Sequence, residues 1–208
     1  MDDCCDHKGA ALQKLARQRD QRWVLAIVLA LNAIMFVVEF GAGVIAGSAS
    51  LMADAVDMLG DAMVYGLSIY ALDRGTRWHA RAALAKGGFI VLFGLGVLVE
   101  IGVKLATGVP PSSPMMLAFG SLALVVNLAC LALLWRFRTQ DVNMSSTFEC
   151  SRNDVIANVG VLAAAVGVAT LNSPWPDILV ALAIAALFFR SGLKVLGEAW
   201  PAFRAAPR

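Results

Sequence analysis

Charge is what this sequence has little of. Lys, Arg, Asp and Glu make up 15% of its 208 residues, while 59% are hydrophobic. A water-soluble domain is roughly 45–50% apolar and about 25% charged. The shortage excludes an ordinary soluble domain, and the length suffices for about six membrane spans of about 20 residues each. Cysteine is scarce as well. Cys4, Cys5, Cys130 and Cys150 make no obvious disulfide framework, and Cys130, inside an apolar run, reads as packing. A cleavable signal is lacking: residues 1–22 are polar, and the apolar run after them is too long for a signal core. About ten residues follow the last apolar run, too few to fold alone, so no second domain is expected. The net charge of +2 says little about partners, and no nucleic-acid partner is expected.

What the chain does have is six apolar segments, at about 23–46, 50–72, 83–106, 115–135, 146–171 and 176–197. Breakers separate them: Gly47-Ser48, Gly75-Thr76, "TGVPPSSP" (107–114), "RFRTQD" (136–141) and "NSPWP" (172–176). Lipid offers the backbone no partners, so each segment is predicted to be a helix. Of the 17 basic residues all but Lys104 fall on one side of this arrangement. The positive-inside rule then puts both termini in the cytoplasm. Trp23, Trp78, Trp135, Trp175 and Trp200 all lie near proposed span ends, as interfacial anchors should. The expectation is an all-α membrane protein of six transmembrane helices in the bilayer of a bacterial inner membrane. A cytoplasmic tail (1–22) precedes the helical domain (23–198), and a short tail (199–208) follows it.

Some polar residues sit where polarity is costly. "LMADAVDMLGDAM" (51–63) carries Asp54, Asp57 and Asp61 inside the second segment. At about 100° per residue they point to about 0°, 300° and 340°, one stripe of a helix. Asp57 and Asp61 are stacked one turn apart and repel unless a cation or a proton lies between them. The fifth segment carries a second such pair, Cys150 and Asp154, in "ECSRNDVIANVG" (149–160). Counting about 1.5 Å per residue from the outer face places Asp57 and Asp61 about 10 and 16 Å deep. The same count places Asp154 and Cys150 about 15 and 21 Å deep, within a core about 30 Å thick. Two ligands from each of two helices make the tetrahedral set favoured by zinc and its heavier relatives.

Other readings compete at particular residues. Asp54, nearest the outer end, suits a helix-start or loop-anchoring role as well as metal contact. Cys150 also suits a small apolar filler. Arg152 is expected to face away from the metal. Glu39 and Asn32 share a face of segment 1 and read as supporting or packing polar groups. Glu100 is expected to pair with Lys104 at i+4, and Asn127 and Asn158 read as inter-helix glue. An intramembrane enzyme using paired aspartates is the main rival. The Gly-x-Gly-Asp motif of membrane aspartyl proteases fails because Met58 stands at the first Gly. The Asp-Gly and Ala-Arg pairs of phospholipid-head transferases are missing from segment 2. A proton-coupled carrier of a non-metal solute is the third reading.

With these residues in view, the sequence resembles the cation diffusion facilitator family of metal/proton antiporters, over about residues 23–198. "EFGAGVIAGSASLMADAVDMLGD" (39–61) is similar to the family's Gly-Ser-x-Ser-Leu turn followed by Ala-Asp-Ala-x-(His or Asp)-x-x-x-Asp. "CSRNDVIANVGVLAAA" (150–165) resembles its span-5 His-x-x-x-Asp pattern, with Cys150 at the His position. Pro176-Asp177 matches the family's entry to span 6 only loosely. The resemblance implies metal ligands at Asp57, Asp61, Cys150 and Asp154. It implies no resident cofactor, with divalent metal ions and protons as substrates, and a homodimer. The chain would be a short form without the family's C-terminal cytoplasmic domain, so any dimer would form through the membrane region. A thiolate in place of imidazole favours softer ions, so cadmium stands beside zinc. "CCDH" (Cys4 to His7) reads either as a tail without a role or as a soft-metal trap at the cytoplasmic mouth.

The charge of the site implies its exchange chemistry. Three carboxylates and a thiolate are too negative to stay empty at mid-membrane, and metal binding needs them deprotonated, so metal and protons should exchange. With protons driven inward, the expected direction is metal export, and the chain is not expected to be an enzyme.

Overall fold

The computed structural model describes the backbone of residues 3–71, 76–139 and 142–205; the side chains of 1–18, 67–83 and 141–150 (Phe148 excepted) are among those not described. Among the described residues the chain is six helices: α1 (Asp3–Ala46), α2 (Ala49–Ala71), α3 (Thr76–Thr107), α4 (Ser113–Trp135), α5 (Val142–Leu171) and α6 (Trp175–Ala205). Every predicted apolar segment lies in one of them, save Leu72 at the end of the second, which is outside the described residues. The difference is on the basic side. There α1 starts at Asp3 rather than Trp23, α3 at Thr76, and α6 runs on to Ala205. The extra turns of α1 are polar and those of α3 and α6 carry scattered charges such as Arg77, Arg81, Glu198 and Arg204, and hydropathy marks where a chain leaves lipid, not where its helix stops.

The outer ends turn sharply, and the turn chemistry is local. Gly47, Gly108 and Asn172 all take positive φ, the left-handed conformation that closes a helix C-terminus. The Gly108 and Asn172 N–H groups donate back to Lys104 O and Val168 O at 2.8 and 2.9 Å. Ser112 holds the N-cap position of α4 in an extended conformation without a side-chain cap bond, with Pro in the first turn. Its own N–H donates to Ala46 O at 2.9 Å, so the start of α4 satisfies the end of α1.

Helix α2 is the centre of the bundle and packs on α1, α3, α5 and α6. Its approach to α1 is close: a Cβ on Gly43 would lie 2.8 Å from Met52 Cγ and 3.0 Å from its backbone N. Helices α4 and α5 pair beside them, and α3 pairs with α6. Phe93 of α3 meets Phe36 and Phe40 of α1 edge-on, with ring centroids 5.5 Å apart. Cys130 is free and buried with Leu25, Val28, Leu134 and Phe137, as a packing residue should be.

The outside of the bundle is aliphatic. Ile34, Val37, Leu92, Val99, Val125, Ile156, Leu179 and Leu187 are all exposed. A water-soluble surface does not carry so much contiguous apolar area. Three stretches, Arg19–Ala46, Ser113–Trp135 and Ser151–Leu171, are long and apolar enough to cross a bilayer, and Trp175–Leu187 is a shorter apolar stretch. Trp23, Trp135, Trp175 and Trp200 are exposed near span ends. Arg138 and Arg204 lie over the Trp135 and Trp200 rings at 4.1 and 4.9 Å. Trp78 lies outside the described side chains.

Candidate functional site

The site depends on how α2 begins. Its first four N–H groups need acceptors in a place where water is scarce. Ser48, as N-cap, accepts from Leu51 N through Oγ at 3.2 Å and from Met52 N through its carbonyl at 3.2 Å. The other two donors are met from another helix: Asp177 of α6 accepts from Ala49 N at 2.9 Å and Ser50 N at 3.1 Å. The Ser48 and Ser50 hydroxyls also donate to it, at 2.7 and 2.6 Å. Lys104, at the end of α3, completes the cluster at 3.5 Å from Asp177 Oδ2. Lys104 therefore pairs with Asp177, not with Glu100 as the i+4 spacing suggested. A fully buried carboxylate with four hydrogen bonds attracts the lysine more than a half-exposed Glu100 does.

Because Ser48 and Asp177 cap α2, Asp54 has no capping left to do. It lies further in, 1% exposed, and interacts with Glu39 of α1 and with Asp57. The helix-start reading of Asp54 is thus replaced by an interior one. Aspartate at mid-span costs about 2.5–3.5 kcal/mol on insertion scales, so an interior cluster needs compensation.

Asp154 of α5 is the residue that gathers the others. It is 4% exposed, and the carboxyls acting on it are Asp61, then Asp57, then Asp54. Asp61 and Asp154 are placed for a side-chain hydrogen bond, and two carboxyls share one only when a proton lies between them. Asp61 is buried and Asp57 half-buried. Asp61 of α2 and Asp154 of α5 thus lie near each other inside the bundle. Cys150, Glu149 and the Cys4-to-His7 stretch lie outside the described side chains. Among the described residues no three of His, Cys, Asp or Glu are drawn tightly enough together to hold a metal ion. Three of the four predicted ligands thus share one region of the bundle without closing into a coordination sphere.

The remaining polar residues divide differently from expectation. Arg152 is exposed. Asn158 does not glue helices: its Nδ2 donates to Asp154 O of its own helix at 2.8 Å. Asn32 does the same to Val28 O at 2.9 Å. The sequence reading missed the Asp177 cap. Its signal was Pro176-Asp177 at the start of a span, an acid with no partner of its own nearby in sequence.

A cation efflux transmembrane domain model matches residues 25–202. The chain belongs to the cation efflux family. That places it among integral membrane transporters rather than enzymes, with six helices as observed. Over 188 residues it is 26% identical to the metal cation efflux system protein CzcD of Cupriavidus metallidurans, covering 85% of this chain and 57% of that protein. The cation efflux system protein CzcD of an Alcaligenes strain matches equally, 26% over 188 residues with the same 85% and 57% coverage. A cadmium, cobalt and zinc/H(+)-K(+) antiporter of Bacillus subtilis is 24% identical over 173 residues, covering 76% of this chain and 56% of that protein. The chain thus spans about half the length of the curated relatives it matches.

Proposed function

We propose that this member of the cation efflux family carries a divalent transition or heavy-metal ion, zinc or a softer ion such as cadmium, out of the cytoplasm in exchange for protons. The supporting observation is Asp154 of α5 facing Asp61 and Asp57 of α2 inside the bundle. The named substrates of the relatives, cadmium, cobalt and zinc among them, agree with that reading. The ligand set is Asp57 and Asp61 with Cys150 and Asp154. Cys150 precedes Asp154 by four residues in the sequence, the spacing of neighbours one helical turn apart.

Loading follows from charge. With metal absent, protons taken up by the set would offset the repulsion between its neighbouring carboxyls. A divalent ion displaces them, because metal ligation needs the ionised groups. Exposure of the site would alternate by rocking of one part of the bundle against another. The reading places the tails at 1–22 and 199–208 in the cytoplasm, a homodimer joined through the membrane region, and the bacterial inner membrane as location.

The test is metal uptake into proteoliposomes under a pH gradient. Asp61→Ala and Asp154→Ala should each abolish it. Wild-type rates from Asp154→Ala would sink the site assignment.

A further inference from the structure

Two buried acids have no place in the four-ligand set: Glu39 of α1 and Asp54 of α2, exposed 0% and 1%. Both Glu39 oxygens and Asp54 Oδ2 are sealed inside with no donor group beside them, and the two carboxyls lie close enough to share a hydrogen bond with each other. Asn32 Oδ1 and Asn158 Oδ1 are further buried acceptors in that state, against the unmatched donors Asn127 Nδ2 and Ser151 Oγ. Among the described residues these unmatched acceptors exceed the unmatched donors. Among the described residues Lys104 is the only buried basic side chain, and Asp177 already holds it at the outer end. Unpaired carboxylates in such an interior are costly, and a cation is what removes the cost.

The two carboxyls interact across the α1–α2 contact. They also sense the proposed metal set: Asp154 acts on Glu39, and Asp57 acts on Asp54. Among the described residues, the charged groups facing the pair are thus Asp57 from α2 and Asp154 from α5. From α4 the buried polar residue is the neutral Asn127. A divalent ion at the four-ligand set cannot neutralise the pair, because three carboxylates and a thiolate already outweigh its charge.

Building on the carrier reading, we infer that Glu39 and Asp54 form a second cation position, which takes the monovalent counter-cation exchanged for the metal. The donors decide the ligand class. Two carboxyls offer hard oxygen only, and no third acidic, His or Cys side chain among the described residues joins them closely enough for a metal site. That is too few for a divalent transition ion, which takes about four ligands. It suits a proton shared between two carboxyls or an alkali ion. Coupling follows from position. Positive charge on the metal set weakens the hold of Glu39 and Asp54 on their cation through Asp154 and Asp57, and the reverse holds by reciprocity.

The experiment compares two assays on Glu39→Gln in proteoliposomes. One is exchange of labelled zinc for zinc with no gradient, which needs the metal set but no counter-cation. The other is net zinc transport, driven by a pH gradient in choline salts or by a potassium gradient at one pH. Glu39→Gln should keep zinc exchange near the wild-type rate while net transport falls about tenfold or more. Loss confined to the pH-driven arm identifies a proton, and loss in the potassium-driven arm an alkali ion. Glu39→Asp, which keeps the carboxyl, should recover part of the net transport. Net transport unchanged in Glu39→Gln, or exchange and net transport falling together, overturns the inference. Wild-type protein that moves no metal in either assay overturns the carrier reading on which it stands.

Discussion

Cys150 is the residue on which ion choice turns in the proposed site. Aspartate oxygens accept many divalent ions, whereas a thiolate ranks them by softness, with cadmium gaining more than zinc. Replacing it with imidazole should reverse that bias. Cys150→His is therefore expected to shift the ratio of cadmium to zinc transport towards zinc, read by competition between the two ions in proteoliposomes. An unchanged ratio would remove Cys150 from the ligand set. Asp54 teaches a different lesson at this scale. By spacing it is the equal of Asp57 and Asp61, and by depth it looked like a cap. Its actual neighbour is Glu39, on another helix, and no count along α2 could supply that.

At the scale of the element, α2 is a helix whose start is completed by a different helix. Asp177 accepts its first two free N–H groups and balances Lys104. Removing that carboxylate leaves the two donors without their acceptor and a 3% exposed lysine without its partner. Breaking a buried pair by deleting one member costs about 3–5 kcal/mol. Asp177→Ala should thus lose stability of that order in detergent denaturation. Asp177→Asn, which keeps one acceptor oxygen, should lose less. Equal stability of wild type and Asp177→Ala would mean that the Ser48 cap suffices alone. The cluster also joins the ends of α2, α3 and α6, so a loss should be felt in all three.

For the whole molecule, the consequence of the charge pattern is orientation. The connectors at 47–48, 108–112 and 172–174 are short and carry no Lys or Arg, and all the basic residues but Lys104 fall in the sequence on the side of the other connectors and the termini. A phosphatase reporter that works only outside the cytoplasm should be active when inserted in 108–112 and inactive at the C-terminus. The opposite pattern would invert the direction proposed for export.

Much of the fold was legible in the sequence, and the reason is solvent. Lipid forces each long apolar run into a helix, and the breakers "TGVPPSSP" and "NSPWP" sit at real turns. The pairing of Asp61 with Asp154 could be reached by counting residues inward from each outer connector, because a straight helix converts sequence into depth at a fixed rate. What residue counting cannot give is the rotation of one helix against another. That rotation brings Asp177 to the start of α2 and Lys104 to Asp177, and it turns Glu39 towards Asp54. The sequence by itself determined the number of helices and their order. Only the tertiary structure decided which acids share a neighbour, because long-range electrostatic partners depend on packing angles that no local periodicity records.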